Sequence, residues 1–421
     1  MRIAFTIHKF PPESLGGTEI YAWSLARGLT AAGHEVHVFY PLAGTPPEER
    51  QVVHEGLHLW RAPLPATRAS ENPAAQYWHT FRDAAIEKDF AHFLAETKPD
   101  LVHFQHVQGV SARLISLARH LPRVMTLHDY WYFCANSQLI RPDRQVCGGP
   151  RAGWSCVDCA TARADLQPLR ALRPLVALPF AYRNTYLRGL LRSIDLFIAP
   201  SYFLRQQYVG QGFPGDRIRV LENGVDLERL RAESGAVVEP PPLRPHIAFI
   251  GSLAWQKGVH VLIKAFNQIS EQAALTIYGS EKVFPEYAQE LRQLAANPTI
   301  RFAGALNHRA VGKALQTIDC LVVPSVWYEN SPLVIQEAFA MSVPVVASRL
   351  GALEEKVQEG VNGRLFAPGD DRELARILRQ LIGQPQQLAS LRQGIRPGPD
   401  MWQHSQMVEA LYREISGAKL A

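Results

Sequence analysis

The sequence has no apolar run long enough to span a membrane. Of its 421 residues, 47% are hydrophobic, but no stretch approaches the ~18 consecutive apolar residues that a spanning helix needs. The opening residues MRIAFTI are too short for the apolar core of a secretory signal, and no cleavage pattern follows them. We therefore expect a cytoplasmic protein.

The sequence also has little excess charge and lacks the common phosphate loops. The formal net charge is only +5, and neither a zinc-finger helix nor an aromatic RNA-reading pattern accompanies it, so nucleic acid is not an expected partner. Neither GxGxxG nor GxxxxGK[ST] is present. Any nucleotide site must therefore be built from other elements.

Cysteine is scarce, yet four of the five cysteines lie close together. Cys320 sits in the apolar run CLVVPS and is interpreted as a core residue. The others follow the spacing C-x12-C-x8-C-x2-C, which is typical of a structural zinc site with four thiolate ligands. An iron–sulfur cluster, a disulfide pair or a loop of free thiols are the alternatives, and a disulfide is less favoured in the cytoplasm. The candidate metal ligands are Cys134, Cys147, Cys156 and Cys159.

Short apolar runs alternate with helical patterns in two separate parts of the chain. This alternation predicts an α/β protein with parallel, doubly wound sheets. The proline-rich stretch VVEPPPLRP at 237–245 resembles a linker, and the alternation restarts with HIAFIG at 246–251. The first part contains apolar runs at 2–7, 35–40, 100–105, 123–128 and 195–201.

These patterns predict two Rossmann-like domains and a final helix. We place an N-terminal domain at 1–226, with the cysteine-rich insertion at 134–159, and a C-terminal domain at 227–397. The remaining residues, 398–421, contain an amphipathic helix. Its apolar positions are Trp402, Met407, Val408, Leu411, Tyr412 and Ile415.

Each half has a glycine-containing loop after its first strand. Gly16-Gly17 open a helix, and glycine allows a close approach between the backbone and a ligand. In the second half, Lys257-Gly258 precede a helix, where the lysine can point at a phosphate held by the helix end. The alternatives are a glycine turn that only caps a helix and a solvated loop lysine.

The stretch SVWYENSPLVIQEAFA at 325–340 combines a helix start with two acids. Ser331 is a suitable N-cap and Pro332 suits the first helical position, which leaves backbone N–H groups from Leu333 onward to face an anion. Glu329 precedes the helix, and Glu337 on its second turn can accept two ribose hydroxyls. Phosphate, sugar and ribose together describe a sugar nucleotide. Two solvated acids beside an ordinary helix are the alternative.

Taken in order, these segments resemble glycosyltransferase family 4, the retaining glycosyltransferases with the GT-B fold, of the kind with a cysteine-rich insertion after the T-x-H-D-x-W strand end. The resemblance covers nearly the whole chain. The matching segments are the Gly16-Gly17 loop, TLHDYW around His128, NGVD at 223–226, GSLAWQKG at 251–258, and the E-x7-E motif of Glu329 and Glu337.

The resemblance implies two domains facing a cleft, with the last helix returning to the N-terminal domain. It also implies that Lys257 stabilises the leaving diphosphate, that Glu329 contacts the transferred sugar and that His128 lies beside that sugar. Catalysis then requires no metal cofactor. Ser252 departs from the family, which usually has arginine there, and this lowers the expected donor affinity. The donor-binding set is Gly16, Gly17, Ser252, Lys257, Asn330, Ser331, Leu333, Val334 and Glu337.

The implied function is transfer of a hexosyl or other glycosyl group (class EC 2.4) from a nucleoside-diphosphate sugar to a hydroxyl of a glycan or lipid-linked acceptor. Cell-surface polysaccharide, lipopolysaccharide or glycolipid synthesis is the usual family context. A non-catalytic or scaffold sugar-nucleotide binder and a sugar-nucleotide epimerase are the alternatives. Residues 163–192, with six arginines and one acid, predict peripheral contact with the inner membrane face. An ordinary helix with solvated arginines is the alternative.

Overall fold

The computed structural model describes the chain except for residues 15, 66–72, 233–244, 270–271, 308 and 421, and at 47, 73–74, 76 and 418–420 it describes the backbone alone. Most of the predicted linker lies outside the described residues. The chain divides into two compact units, Met1–Gly224 with Met401–Ala421, and Val225–Asp400. The boundaries predicted after 226 and 397 lie within three residues of these divisions.

Within the described residues, the first unit holds an eight-stranded sheet in the order β3-β4-β2-β1-β5-β6-β7-β8. Every neighbouring pair is parallel except β3 with β4. In the centre, Ala4 pairs with His37 on one side and Val102 on the other. The strands are β1 (Arg2–Thr6), β2 (Glu35–Ala43), β3 (Gln51–His54), β4 (Leu57–Leu64), β5 (Leu101–Phe104), β6 (Arg123–Thr126), β7 (Leu196–Ala199) and β8 (Ile218–Val220).

Helices cover the faces of this sheet, so central strands such as β5 and β6 are buried along their whole length. A 3₁₀ helix at Gln167–Leu172 leads directly into the longest of these helices. They are α1 (Gly17–Ala31), α2 (Pro73–Trp78), α3 (Ala84–Thr97), α4 (Leu114–Leu117), α5 (Cys156–Arg163), α6 (Arg173–Leu191) and α7 (Tyr202–Gly210).

The second unit holds a six-stranded, wholly parallel sheet over its described residues, in the order β11-β10-β9-β12-β13-β14. The strands are β9 (His246–Ile250), β10 (Ala274–Tyr278), β11 (Ile300–Gly304), β12 (Cys320–Val323), β13 (Val345–Ser348) and β14 (Gly363–Phe366). The helices are α8 (Leu227–Arg231), α9 (Val259–Phe266), α10 (Pro285–Leu294), α11 (Val311–Thr317), α12 (Leu333–Ala340), α13 (Ala352–Lys356), α14 (Asp371–Gly383) and α15 (Pro385–Gly394).

The final helix, α16 (Met401–Leu420), belongs to the first unit. Tyr21 and His404 share a hydrogen bond of 2.9 Å, and Tyr412 shares one of 2.6 Å with His103 of β5. Of the apolar positions predicted for this helix, Val408 and Tyr412 are fully buried and Ile415 nearly so, whereas Trp402 and Met407 are exposed. The helix therefore completes the core of the first unit, and its buried apolar face is narrower than the sequence pattern predicts.

Strand order places two switch points where loops can hold a ligand. Successive strands run outward on one side of β1 and then resume at β5 on the other side, and β9 and β12 have the same relation in the second unit. In open parallel sheets, ligands bind beyond the carboxyl ends of strands at such points. No described helix is both long and apolar enough to cross a bilayer.

Candidate active site

A partly buried ion pair lies at the switch point of the second unit. Lys257, at the end of the loop after β9, donates to both carboxylate oxygens of Glu329, at 2.8 and 3.0 Å. Glu329 is 4% exposed and also accepts hydrogen bonds from the Ser325 hydroxyl at 2.6 Å and the Trp327 indole at 3.0 Å. The lysine and the first acid of the E-x7-E motif, which lie far apart in sequence, therefore form one charged cluster.

Gly258 brings these two loops together. Its backbone is left-handed (φ 70°), and an added Cβ would collide with the carbonyl of Pro324, just after β12. The Val326 N–H donates to the Gln256 carbonyl at 2.9 Å across the same contact. A glycine is thus required for the close approach that lets Lys257 reach Glu329.

The helix after Glu329 begins one residue later than predicted, and its cap is different. Pro332 is the N-cap and α12 starts at Leu333, with no side-chain capping bond. The prediction that Ser331 caps the helix is therefore wrong: its buried hydroxyl has no hydrogen-bond partner among the described residues. The first N–H groups of the helix, at Leu333 and Val334, and this hydroxyl are the donors next to Asn330 and the ion pair.

Glu337 is paired with an arginine that sequence reasoning missed. Arg229 in α8 donates to Glu337 Oε1, and both side chains are nearly buried. Asp226 of the NGVD element fixes this arginine by capping α8, since its carboxylate accepts the Arg229 N–H at 2.9 Å. The signal that could have identified Arg229 is its place three residues after that cap.

Ser252, at the position of the missing family arginine, is exposed. Its carbonyl accepts the Ala254 N–H at 2.9 Å, which shapes the turn that leads to Lys257. The residue therefore contributes backbone geometry to the loop and no cation.

In the first unit, the glycine loop ends against a carboxylate. An added Cβ at Gly16 would collide with the carboxylate of Glu19, whereas one at Gly17 would meet open space. Glu19 is nearly buried and accepts the Ser14 hydroxyl at 3.0 Å, with His8 Nε2 at 3.8 Å. Gly16 is thus needed for packing within the loop, and Gly17 is the glycine with an open face.

His128 lies at the carboxyl end of β6 as a neutral side chain. Burial lowers the pKa of His128 to about 3, and His106 adds to this effect while Asp129 opposes it. Its Nε2 lies 2.9 Å from the side-chain oxygen of Gln105 and therefore carries the proton that is donated there. The ring is a hydrogen-bonding group and not a cation near neutral pH.

Two further histidines accompany His128, and sequence reasoning missed both. His8 follows β1 and His106 follows β5, and their ring centroids are 4.8 Å apart. His106 Nε2 lies 3.2 Å from a carboxylate oxygen of Asp129, while His8 Nδ1 is buried without a partner among the described residues. The available signal was one histidine just beyond each of three neighbouring parallel strands.

A cavity of about 1100 Å³ lies within the first unit, and His8 is among the residues that line it. The lining combines polar side chains such as Glu13 and Ser14 with apolar ones such as Phe133 and Phe180. Such a mixed lining suits a ligand with one polar and one apolar part.

The four clustered cysteines also line this cavity, as free thiols. Cys156 and Cys159 lie one turn apart on α5, and burial together with the nearby thiol of Cys134 raises the pKa of each to about 12. The Cys147 N–H donates to the Leu139 carbonyl at 2.7 Å. Among the described residues, no group of three or more His, Cys, Asp or Glu side chains is placed to hold a metal ion.

Two family descriptions match the chain. Residues 15–229 match the one described as Glycosyltransferase Family 4, and residues 244–384 match Glycosyl transferases group 1. A Methanocaldococcus jannaschii protein named as an uncharacterized glycosyltransferase is 27% identical over 394 residues, covering 89% of this chain and 87% of its own. The glycogen synthase of Mycobacterium tuberculosis is 26% identical over 400 residues, covering 91% and 87%.

Solved structures share the fold at low sequence identity. Sucrose-phosphate synthase from Thermosynechococcus elongatus aligns with a TM-score of 0.72 at 19% identity, covering 99% of both chains. Anabaena HepE in complex with UDP and glucose aligns with a TM-score of 0.68 at 18% identity, covering 97% of this chain and 98% of its own. The predicted fold class, α/β of the GT-B type, is confirmed.

Proposed function

Because the chain belongs to glycosyltransferase family 4, we propose that it is a retaining glycosyltransferase that moves a sugar from a nucleoside-diphosphate sugar to a hydroxyl of a glycan or lipid-linked acceptor. The observation that carries this proposal is the cluster of Lys257, Glu329, the start of α12 and Glu337 within the second unit. The cluster combines a cation, helix N–H donors and two carboxylates at the switch point.

In this proposal the diphosphate of the donor lies before α12. Lys257 has three N–H donors, and its Nζ makes two hydrogen bonds to the Glu329 carboxylate. A bound diphosphate takes a share of these donors, together with the N–H groups of Leu333 and Val334 and the Ser331 hydroxyl, which has no partner among the described residues. Glu329 is then positioned for the hydroxyls of the transferred sugar.

The proposal assigns the donor's ribose to Glu337. Arg229 contacts its Oε1 and holds the carboxylate in place, and Oε2 is the acceptor for the ribose hydroxyls.

In this proposal, attack on the face from which the diphosphate leaves retains the configuration, and the protein lowers the barrier by stabilising charge. The bond between the anomeric carbon and the diphosphate oxygen breaks, the acceptor oxygen attacks the same face, and its proton passes to the departing phosphate. Lys257 and the helix N–H groups stabilise the negative charge that grows on the diphosphate. Neutral His128 serves as a hydrogen-bonding group for the sugar, with its proton held toward Gln105. No protein nucleophile and no metal enter these steps.

We place the enzyme on the cytoplasmic side of the cell in surface polysaccharide, lipopolysaccharide or glycolipid synthesis, following the sequence and the family context. UDP-sugars are the first donors to test, because Anabaena HepE binds UDP.

A panel of UDP-, ADP- and GDP-sugars, read by thermal shift, tests the donor site. We expect one donor to raise the melting temperature, and Glu337→Gln, which still accepts a hydrogen bond from Arg229, to lose most of that shift. Incubation with an acceptor should release nucleoside diphosphate, and NMR of the product should show the donor's anomeric configuration. Binding without turnover for every acceptor supports a non-catalytic binder, and an inverted product contradicts retention.

We also propose that the four cysteines of the insertion bind structural zinc, since their donor set suits a tetrahedral thiolate site. The thiols of Cys134, Cys147, Cys156 and Cys159 must draw together for this, because the described geometry does not gather three of them. Elemental analysis of purified protein should find one zinc per chain, and Cys156→Ser/Cys159→Ser should lose it. A zinc-free wild-type protein that is fully folded contradicts the proposal.

A further inference from the structure

The segment after the cysteine insertion exposes a row of leucines. They recur every third residue, and each is between 38% and 63% exposed. In the 3₁₀ helix at Gln167–Leu172, side chains three apart lie on one face, and on α6 the same spacing keeps them near each other. We call this row the leucine ridge: Leu166, Leu169, Leu172, Leu175 and Leu178.

Exposed aromatic side chains stand beside the ridge at both ends. Trp154 is half exposed, and the Arg173 guanidinium at the start of α6 lies 5.5 Å from its ring centroid. Further along α6, Tyr182 contacts Phe81 at 5.4 Å between centroids, and exposed Trp78 contacts the same phenylalanine at 5.7 Å. Tryptophan and tyrosine in such positions favour the boundary between lipid and water.

Arginines outnumber acids around the ridge, but Asp165 precedes Leu166 and Asp158 lies beside Arg170 and Arg173, so the excess positive charge is weaker than the sequence indicates. No acidic residue occurs in 166–192. Of the six arginines predicted to face a membrane, however, Arg183 is buried, and Arg170 and Arg173 lie 3.5 and 2.6 Å from the carboxylate of Asp158. Exposed cations such as Arg163 and Arg192 remain. The surface is therefore mainly apolar, with a modest preference for an anionic partner.

The ridge is continuous with the large cavity of the first unit. Trp78 and three residues of α6, Val176, Pro179 and Phe180, line that cavity, and they alternate along the helix with ridge leucines. One face of α6 thus borders the cavity while the neighbouring face carries the ridge. A partner that covers the ridge would therefore lie next to the apolar cavity residues of α6.

We propose that the leucine ridge docks on an anionic lipid bilayer, with its leucines in the headgroup boundary and α6 parallel to the surface. Lipid fits the ridge better than a folded protein partner, because the surface is apolar, flanked by tryptophan and tyrosine, and free of acids over a 27-residue stretch. The docking itself is independent of the proposed activity. Docking would present the apolar part of a lipid-linked acceptor to the cavity, and this role rests on the proposed function.

Vesicle co-sedimentation of the full chain tests the docking. Wild-type protein should bind vesicles of phosphatidylglycerol and phosphatidylethanolamine more tightly than vesicles of phosphatidylcholine. Leu175→Ser/Leu178→Ser, at the two most exposed ridge positions, should lower the partition coefficient roughly tenfold or more. Val53→Ser/Val283→Ser removes two side chains of similar exposure outside the ridge and should leave binding unchanged.

Three results overturn the docking. The first is wild-type protein that stays in the supernatant with both vesicle types, and the second is a ridge variant that binds as well as wild type. The third is a dimer in sedimentation velocity that Leu175→Ser/Leu178→Ser converts to a monomer while no lipid binding occurs, which makes the ridge an interface between copies. Donor thermal shifts on the same samples test the proposed function separately, since the ridge variant should retain them.

Discussion

In the second unit, the charged side chains of the candidate site stand in two pairs, Lys257 with Glu329 and Arg229 with Glu337. In the first unit, the corresponding strand ends carry histidines, and burial keeps His128 and His8 uncharged near neutral pH. Similar sheets thus present two different environments. The two ion pairs of the second unit are the groups proposed to hold the diphosphate and its sugar, whereas the first unit combines uncharged histidines with the carboxylates of Glu19 and Asp129 beside a largely apolar cavity.

The largest expected effect comes from breaking a pair in the second unit. Arg229→Ala leaves the Glu337 carboxylate nearly buried without its cation, which should cost about 3–5 kcal/mol in the free energy of unfolding. Urea denaturation measures this, with Arg231→Ala on the same helix as an exposed control. A loss below about 1 kcal/mol would mean that water or another group satisfies Glu337.

Lys257→Met should lower kcat/KM by roughly 10²–10³-fold, because it removes one fixed donor to the growing charge on the diphosphate. Steady-state kinetics with the donor that the thermal-shift panel selects measure this. Lys264→Met on the exposed side of α9 is the matched control and should leave kcat/KM unchanged. Equal effects of the two substitutions would show that Lys257 acts only through general charge.

Acid should selectively destabilise the first unit. The folded-state pKa of His128 is about 3 and that of His404 about 4, both below the ordinary value of 6.5. At pH values between these lowered pKa values and 6.5, the unfolded chain therefore binds more protons than the folded chain. Stability is therefore complete above about pH 6.5 and is lost as the pH falls, by roughly 2 kcal/mol per histidine between pH 7 and 5.

Calorimetry between pH 7 and 5 measures this loss. His404→Gln can keep the hydrogen bond to Tyr21 without titrating, and it should remove one histidine's share of the pH dependence. An unchanged pH dependence in that variant would contradict the assignment to buried histidines.

The smallest effect concerns the docking of α16. Gly28→Ala should cost about 1 kcal/mol, because the new methyl group collides with the Ser405 hydroxyl. Ser405→Ala removes that hydroxyl, so the double variant should recover most of the loss. Thermal melts of the two single variants and the double variant complete a double-mutant cycle. If the stability losses of the single variants simply add in the double variant, the two positions do not touch.

Apolar runs predicted β1, β2, β5, β6 and β7 in the first unit and β9 in the second, because buried strands are mostly apolar. Strands β3 and β4 escaped prediction because their pairing depends on the turn at Glu55-Gly56, where both residues have positive φ. Strands β8 and β14 also escaped, because Arg219 interrupts the apolar residues of β8 and Gly363-Arg364 occupy half of β14. Turn geometry and interrupted apolar runs therefore limited what the pattern could reveal.

Within the candidate site, sequence spacing identified the residues that share one loop or helix. It could not identify Arg229 or the His8–His106 contact, since both depend on which strands and helices become neighbours. It also overestimated the basic surface at 163–192, because nothing in the local sequence shows that Arg183 is buried or that Asp158 pairs with Arg170 and Arg173.

The first unit is assembled from both ends of the chain. Its core includes Tyr412 and Val408 of α16, which leave the ribosome only after the whole second unit has been made. The second unit is contiguous in sequence and can fold during synthesis. The first unit cannot complete its core until α16 has been translated, so a nascent chain that stops before Met401 exposes an apolar face of α1 that chaperones can bind.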